Sequence, residues 1–402
     1  MDCEIKLCLV IIFLFSSAMN CVVGEPQVPC LFIFGDSLSD SGNNNDLATD
    51  AKVNYKPYGI DFPSGPTGRF TNGRTSVDIL GDLLGFDHYI PPYANTNGAD
   101  IVQGVNYASG AAGIRNETGT HLGQDISMGL QLEHHRDIVS QIAKKLGSEK
   151  VRQHLNKCLY YVNIGSNDYL NNYFLPQHYP SNGKYNADQY AVALVNEHST
   201  YLKALYELGA RKFSLIGLSL IGCIPHVKNG LLCVEEYNKA ALLFNNKLKS
   251  VVDRFNKELP DAKFILINTA IITYNSLNQD MKMLSCCKLG SSGQCIPSEE
   301  PCQNTNLNPY FDELHPSEVV NMVGANMAYI SNMNILTCCK VGSNGQCIPN
   351  EEPCMFRHLH PFFDEFHPTE VLNKVLANMA YKTPIPAFAH PMDISHLVKL
   401  IR

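Results

Sequence analysis

The chain has 402 residues, 45% of them hydrophobic and 17% charged, which supplies a large core and excludes disorder as its main state. Its 31 Lys and Arg against 38 Asp and Glu give a net charge of −7, with no basic run able to neutralise consecutive phosphates, so nucleic acid is excluded as a partner. The longest apolar run, Leu7 to Phe15, falls well short of the ~18–20 residues that span a bilayer, which excludes an integral membrane protein.

That run lies at the extreme N-terminus and leads through polar Ser16, Ser17 and Asn20 to small Gly24, so residues 1–24 are expected to be a secretion signal. Asp2 and Glu4 weaken its positive flank, and a buried N-terminal strand or helix is the alternative. Residues 25–402 then form the mature domain. Of 15 cysteines, Cys3, Cys8 and Cys21 would leave with the signal. The remaining twelve are an even number suited to disulfides in an oxidising compartment. Asn116-Glu117-Thr118 is a glycosylation acceptor and points the same way.

Five short apolar runs follow in order: Cys30 to Phe34, Gln103 to Tyr107, Leu159 to Ile164, Lys212 to Gly217 and Lys263 to Asn268. Helical periods fill Tyr190 to Leu208, closed by Gly209, and Val234 to Glu258. Near-continuous apolar strands alternating with helices predict a parallel sheet covered on both faces. The expected fold class is therefore α/β, a three-layer α/β/α sandwich on a five-stranded parallel sheet.

The strand ends carry the polar motifs. Gly35-Asp36-Ser37-Leu38 follows the first strand and puts a serine at the carboxyl edge, where open α/β sheets gather ligands; the same tripeptide also suits a plain turn. Gly104 to Gly113 leaves the second strand as a small-residue loop whose N–H groups are approachable. Gly165-Ser166-Asn167-Asp168 follows the third and offers an amide that could stabilise an oxyanion, or simply an Asx-rich turn.

The C-terminal third holds a repeat. Residues 286–329 and 338–381 align without gaps at an offset of 52, with 30 of 44 positions identical. Two copies are too few for a solenoid; the pair is read as a tandem duplication of one enzyme segment, or a gene-model error, and only one copy can fill a single slot. Each copy carries Asp-x-x-His-Pro, as Asp312 to Pro316 and Asp364 to Pro368. A carboxylate three residues before a histidine can hold the imidazole through Nδ1 and leave Nε2 free to accept a serine proton. Each copy also carries Cys-Cys-x7-Cys-x6-Cys, which lacks the Cys-x2-Cys knuckles of a zinc site. Cys223 and Cys233 are placed to close a local loop, while Cys30 and Cys158 either pair or stay buried thiols.

Taken together, Gly35-Asp36-Ser37-Leu38, Gly110, Gly165-x-Asn167-Asp168 and Asp-x-x-His-Pro resemble the successive blocks of plant-type GDSL esterase/lipases of the SGNH hydrolase superfamily. The resemblance runs over nearly the whole mature chain. It implies a flavodoxin-like sheet and hydrolysis of carboxylic esters of lipids or small acyl groups, without metal or organic cofactor. It further implies Ser37 as nucleophile, with oxyanion donors from the Ser37 and Gly110 N–H groups and the Asn167 side chain. The base would be His367 or His315, oriented by Asp364 or Asp312. The tryptophan expected before the last block is replaced by Phe311 and Phe363, and the chain has no tryptophan. An α/β-hydrolase would need a Gly-x-Ser-x-Gly elbow, and none occurs.

Helix quality favours the second copy, because Leu376 stands where the first has Gly324, and glycine inside a helix costs about 1 kcal/mol. Looping out 52 extra residues does not decide the matter, since each doubling of a loop costs only about 0.6 kcal/mol. Asp364 and His367 are thus preferred to Asp312 and His315. A neutral imidazole base predicts that hydrolysis weakens in acid. The alternatives are an esterase that deacetylates wall polysaccharide and a catalytically inactive secreted glycoprotein.

Overall fold

In the computed structural model, the residues described are 25–96, 100–228, 232–271 and 337–400. The expected signal segment and the first repeat copy, including Asp312 and His315, lie outside them. Strands β1 (Leu31–Gly35), β2 (Leu159–Asn163), β3 (Lys212–Ile216) and β4 (Lys263–Ile267) pair in that order, all parallel. A two-residue fifth strand, β5 (Ala389–His390), joins β4 antiparallel, so the sheet is mostly rather than wholly parallel.

The stretch expected as the second strand, residues 103–107, lies beside β1 but forms only isolated bridges, from Asn106 to Ile33 and to Pro92. Three backbone bonds still tie it to β1: Ile33 N to Val105 O at 3.1 Å, Tyr107 N to Ile33 O at 2.8 Å and Ser109 N to Gly35 O at 3.2 Å. Regular pairing stops there because the Asn106 side chain turns into the loop that follows β1, its Nδ2 donating to Ser39 O and Ser41 Oγ. β1 therefore has residues 103–107 on one side and β2 on the other, so successive segments are laid on opposite sides of it and its carboxyl end is a topological switch point, the usual place for a ligand.

Alternate strand residues face two cores. Phe32, Phe34, Tyr160, Val162, Phe213 and Leu215 pack into one large cluster with helices α2 (Met128–Leu146), α3 (Ser148–Leu155), α4 (Ala187–Glu207) and α5 (Glu235–Glu258). Leu31, Ile33, Leu159, Tyr161, Ile216 and Ile265 face a second cluster with α1 (Ser76–Leu84), α6 (Glu370–Tyr381) and α7 (Ile394–Val398). Burial on both faces is why these strands read as continuous apolar runs. α1 begins with a capping box between Thr75 and Asp78, and α4 with one between Asn186 and Gln189.

The second repeat copy is stitched by the disulfides Cys338–Cys354 and Cys339–Cys347; Cys223–Cys233 closes its short loop, and Cys30–Cys158 joins the starts of β1 and β2. No described helix is long and apolar enough to cross a membrane.

Candidate active site

Gly35 ends β1 where a Cβ would lie 2.7 Å from Asn163 O, so only glycine lets the two strand ends approach this closely. The chain then turns: Ser39 N and Asp40 N both donate to Asp36 O, and Leu38 N donates to Asp36 Oδ1 at 3.0 Å. This turn leaves Ser37 half-buried at the edge of a cavity of about 650 Å³. The Ser37 N–H meets no acceptor among the described residues.

The second repeat copy brings His367 to it. His367 Nε2 lies 2.9 Å from Ser37 Oγ, and His367 Nδ1 lies 2.9 and 2.8 Å from the Asp364 oxygens. Asp364 is wholly buried and accepts further bonds from the N–H groups of Phe366 and His367, each at 2.8 Å. Its Oδ2 accepts from the Tyr58 hydroxyl, which itself accepts from Cys347 N at 3.1 Å. The Phe70 ring lies against the imidazole at 4.8 Å. Phe363, standing where tryptophan was expected, is fully buried edge-on to Tyr58 at 5.5 Å. The copy is anchored through Thr71 Oγ1 donating to Pro368 O, Arg74 gripping Glu370, and Asn373 Nδ2 donating to Arg74 O.

The second and third motifs converge on the same rim. Asn167 Nδ2 donates one hydrogen to Ala112 O at 3.0 Å, Asn171 Nδ2 donates to its Oδ1 at 2.7 Å, and the residue lines the cavity. The second Nδ2 hydrogen has no acceptor among the described residues. Gly110 lies close by but differs from expectation: its N–H donates to Asp40 Oδ2 at 3.0 Å. Asp40 is buried and gathers Gly42 N and Asn43 N on its other oxygen, so the Gly110 donor completes the solvation of a desolvated carboxylate. The glycine is needed for space, since a Cβ would meet the Phe70 ring at 2.6 Å. The next residue, Ala111, takes a left-handed φ of 67° and lines the cavity, with an N–H that meets no acceptor among the described residues.

A scan against protein-family models matches GDSL-like Lipase/Acylhydrolase over residues 31–379. Two GDSL esterase/lipases of Arabidopsis thaliana are 42% identical to the chain, one over 394 residues with 96% of each chain covered, the other over 404 residues with 98% of each covered. A third from the same plant is 41% identical over 405 residues, again covering 98% of each. The chain belongs to the GDSL lipase/acylhydrolase family. It is accordingly a carboxylic ester hydrolase on an SGNH-type fold.

The electrostatics of this GDSL site follow from burial. Asp36 is pushed up to about 7 by desolvation, with its Oδ2 unpartnered among the described residues. Asp168, also wholly buried, is raised to about 7 although Ile114 N, Arg115 N and Thr118 Oγ1 all donate to it. Through those bonds Asp168 ties the loop after residue 110 to the turn that carries Asn167. Thr118 of the Asn116-Glu117-Thr118 tripeptide thus has a structural task, while Asn116 is exposed. Among the described residues the one cluster with metal-ligand spacing is Cys30, His154 and Cys158, and its two sulfurs are bonded to each other, so neither is a thiolate.

Tyr58 and Ala111 escaped the sequence reading. Tyr58 follows Lys56-Pro57 in a turn with no periodicity, and only its contact with Asp364 marks it. Ala111 left a faint signal in the run of small residues, but its positive φ is a property of the fold.

Proposed function

We propose that this family member is a secreted serine hydrolase in which Ser37, His367 and Asp364 form the catalytic triad. The observation that carries the reading is the continuous chain from Ser37 Oγ through His367 to Asp364, with contacts of 2.8–2.9 Å. Ser37 Oγ attacks the ester carbonyl carbon while His367 Nε2 takes its proton; the C–O bond to the alcohol then breaks and the alkoxide leaves with that proton. Water, deprotonated by the same nitrogen, attacks the acyl-serine and releases the acid. Asp364 holds the imidazole with Nδ1 protonated and offsets the charge it gains.

The oxyanion would be met by the Ser37 N–H, the free hydrogen of Asn167 Nδ2 and the Ala111 N–H. The last shifts the donor expected of Gly110 by one residue, because Asp40 already occupies the Gly110 N–H. Such donors matter in proportion to how well they are fixed before reaction, and the loss of one typically costs about 10²–10³ in rate. The apolar N-terminal run, paired cysteines and exposed Asn116 support export of residues 25–402 with an N-glycan at Asn116.

The test is hydrolysis of a short-chain nitrophenyl ester together with fluorophosphonate labelling. Ser37→Ala and His367→Ala should each lose about a thousand-fold or more in kcat with the fold intact, and Ser37→Ala should also lose the label. His315→Ala should retain turnover. Undiminished activity in Ser37→Ala, or loss in His315→Ala with retention in His367→Ala, overturns the assignment.

A further inference from the structure

The cavity at Ser37 has two unlike halves. In one, Tyr161, Ile216 and Ile267 of β2, β3 and β4 face Leu372, Leu376 and Ala380 of α6. The three α6 residues recur every four positions, so they form one row on one helix face. At 1.5 Å per residue the row runs about 12 Å. Leu80 of α1 closes the side. The polar groups of this half are Asp36, Asn163 and Thr269 at the carboxyl ends of the strands, the Tyr161 hydroxyl, which bonds with Ser76 and Asn163, and Asn373 of α6, whose Nδ2 donates to Arg74 O; the α6 row itself is apolar.

The other half is built from loops, and polar tips punctuate it: His121, Gln177, His178, Lys228, Asn344 and Gln346. Lys228 is half-buried, and desolvation lowers the pKa of its ammonium. Apolar residues line this half too, among them Leu170, Leu175, Leu218, Leu220 and Ile224, so what sets it apart is the added polar tips.

An ester at Ser37 must send its acyl chain and its alcohol in different directions from the carbonyl carbon. An alkyl chain gains most where it displaces water from a surface that offers nothing else to bind. We infer that the slot between the sheet and α6 is the acyl subsite, that it takes a straight acyl chain of about eight to ten carbons, and that the loop half receives the alcohol. The length follows from a ~1.25 Å advance per methylene, the projection of a carbon–carbon bond, along a row of about 12 Å. This assignment rests on the serine hydrolase reading and adds to it the class of acid released. Leu372 and Leu376 then set chain-length preference.

The experiment measures kcat/KM for nitrophenyl acetate, butyrate, hexanoate, octanoate, decanoate and myristate below their aggregation concentrations. For the native enzyme kcat/KM should climb by up to about four-fold per methylene, peak at eight to ten carbons and then level or fall. Leu376→Trp and, independently, Leu372→Phe should lower the octanoate-to-acetate ratio at least ten-fold. Inhibition of the native enzyme by n-alkylboronic acids, which needs no variant, should tighten with chain length over the same range. A profile that peaks at acetate, as for a polysaccharide deacetylase, or ratios that both variants leave unchanged, overturns the acyl assignment while leaving the triad in place. Absence of turnover with every ester, together with absence of fluorophosphonate labelling, overturns the triad reading itself.

Discussion

The hydroxyl of Tyr58 meets Asp364 on the oxygen turned away from the backbone donors, so the carboxylate of the proposed triad is held from two sides. A hydrogen bond to a charged group contributes about 1.5–3 kcal/mol, and its loss leaves one buried oxygen under-solvated. Tyr58→Phe keeps the ring packed on Phe363 and removes only that donor, so kcat should fall about ten-fold or more while KM stays near its native value. Steady-state kinetics on a soluble ester decide this; an unchanged kcat would mean that the two backbone N–H groups orient Asp364 without help. Aspartates elsewhere in the first motif do quieter work. Asp40 draws the Gly42, Asn43 and Gly110 N–H groups together, and Asn43 reaches the carbonyls of Asn106 and Ala108. The run of polar residues after Ser37 is in this sense a clasp that holds the loop of residues 106–111 against the turn that carries Ser37.

At the scale of elements, the proposed base, His367, is delivered by a small disulfide-stitched unit and not by the sheet. Between β4 and β5 the unit contributes Asp364, His367 and the start of α6, and Cys338–Cys354 spans 16 residues of it. Closing a loop of that size restrains the unfolded chain by about 3 kcal/mol. The double variant Cys338→Ser/Cys354→Ser should therefore lose esterase activity on heating at temperatures where far-UV circular dichroism still reports the α/β body. Coincident loss of activity and dichroism would show that the unit is held by its contacts with Tyr58, Thr71 and Arg74 alone. The main strands were legible because burial on both faces makes them continuous apolar runs. Residues 103–107 carry the same signal yet form only bridges, because Asn106 is drawn into the nucleophile loop. β5 is two residues long and leaves no pattern to read.

For the molecule as a whole, two buried imidazoles work against the fold in acid. His198 in α4 is 2% exposed with neither ring nitrogen partnered among the described residues, and desolvation lowers it from 6.5 to about 4. Burial lowers His135 further, to about 3. An unfolded chain takes up these protons near pH 6.5 and the folded one only near 4 and 3, so the stability they allow is full above 6.5 and is lost as pH falls toward those values. His198→Leu removes one of the two linkages. Its stability relative to the native protein should rise by up to about 3 kcal/mol between pH 7 and pH 4, read from denaturant unfolding at each pH; a difference that does not vary with pH would place the His198 proton elsewhere. Buried Asp36 and Asp168 act in the opposite sense, since their raised values favour the folded state in acid. Comparing the variant with the native protein cancels their contribution. None of this was readable from the chain, because a histidine's burial is decided by what packs over it. The order of the polar motifs was readable, because strand ends of a parallel sheet share one edge. Which N–H groups remain free at that edge was not: Asp40 takes the Gly110 N–H, and the Ala111 N–H meets no acceptor among the described residues.

The contact between Ser37 and His367 joins residues 330 positions apart. Synthesis runs from the N-terminus, so the hydroxyl emerges from the ribosome long before the imidazole proposed to activate it. On that reading a nascent chain has no competent nucleophile until residue 367 has emerged and docked against the first strand's edge, so activity waits on long-range folding and not on local structure.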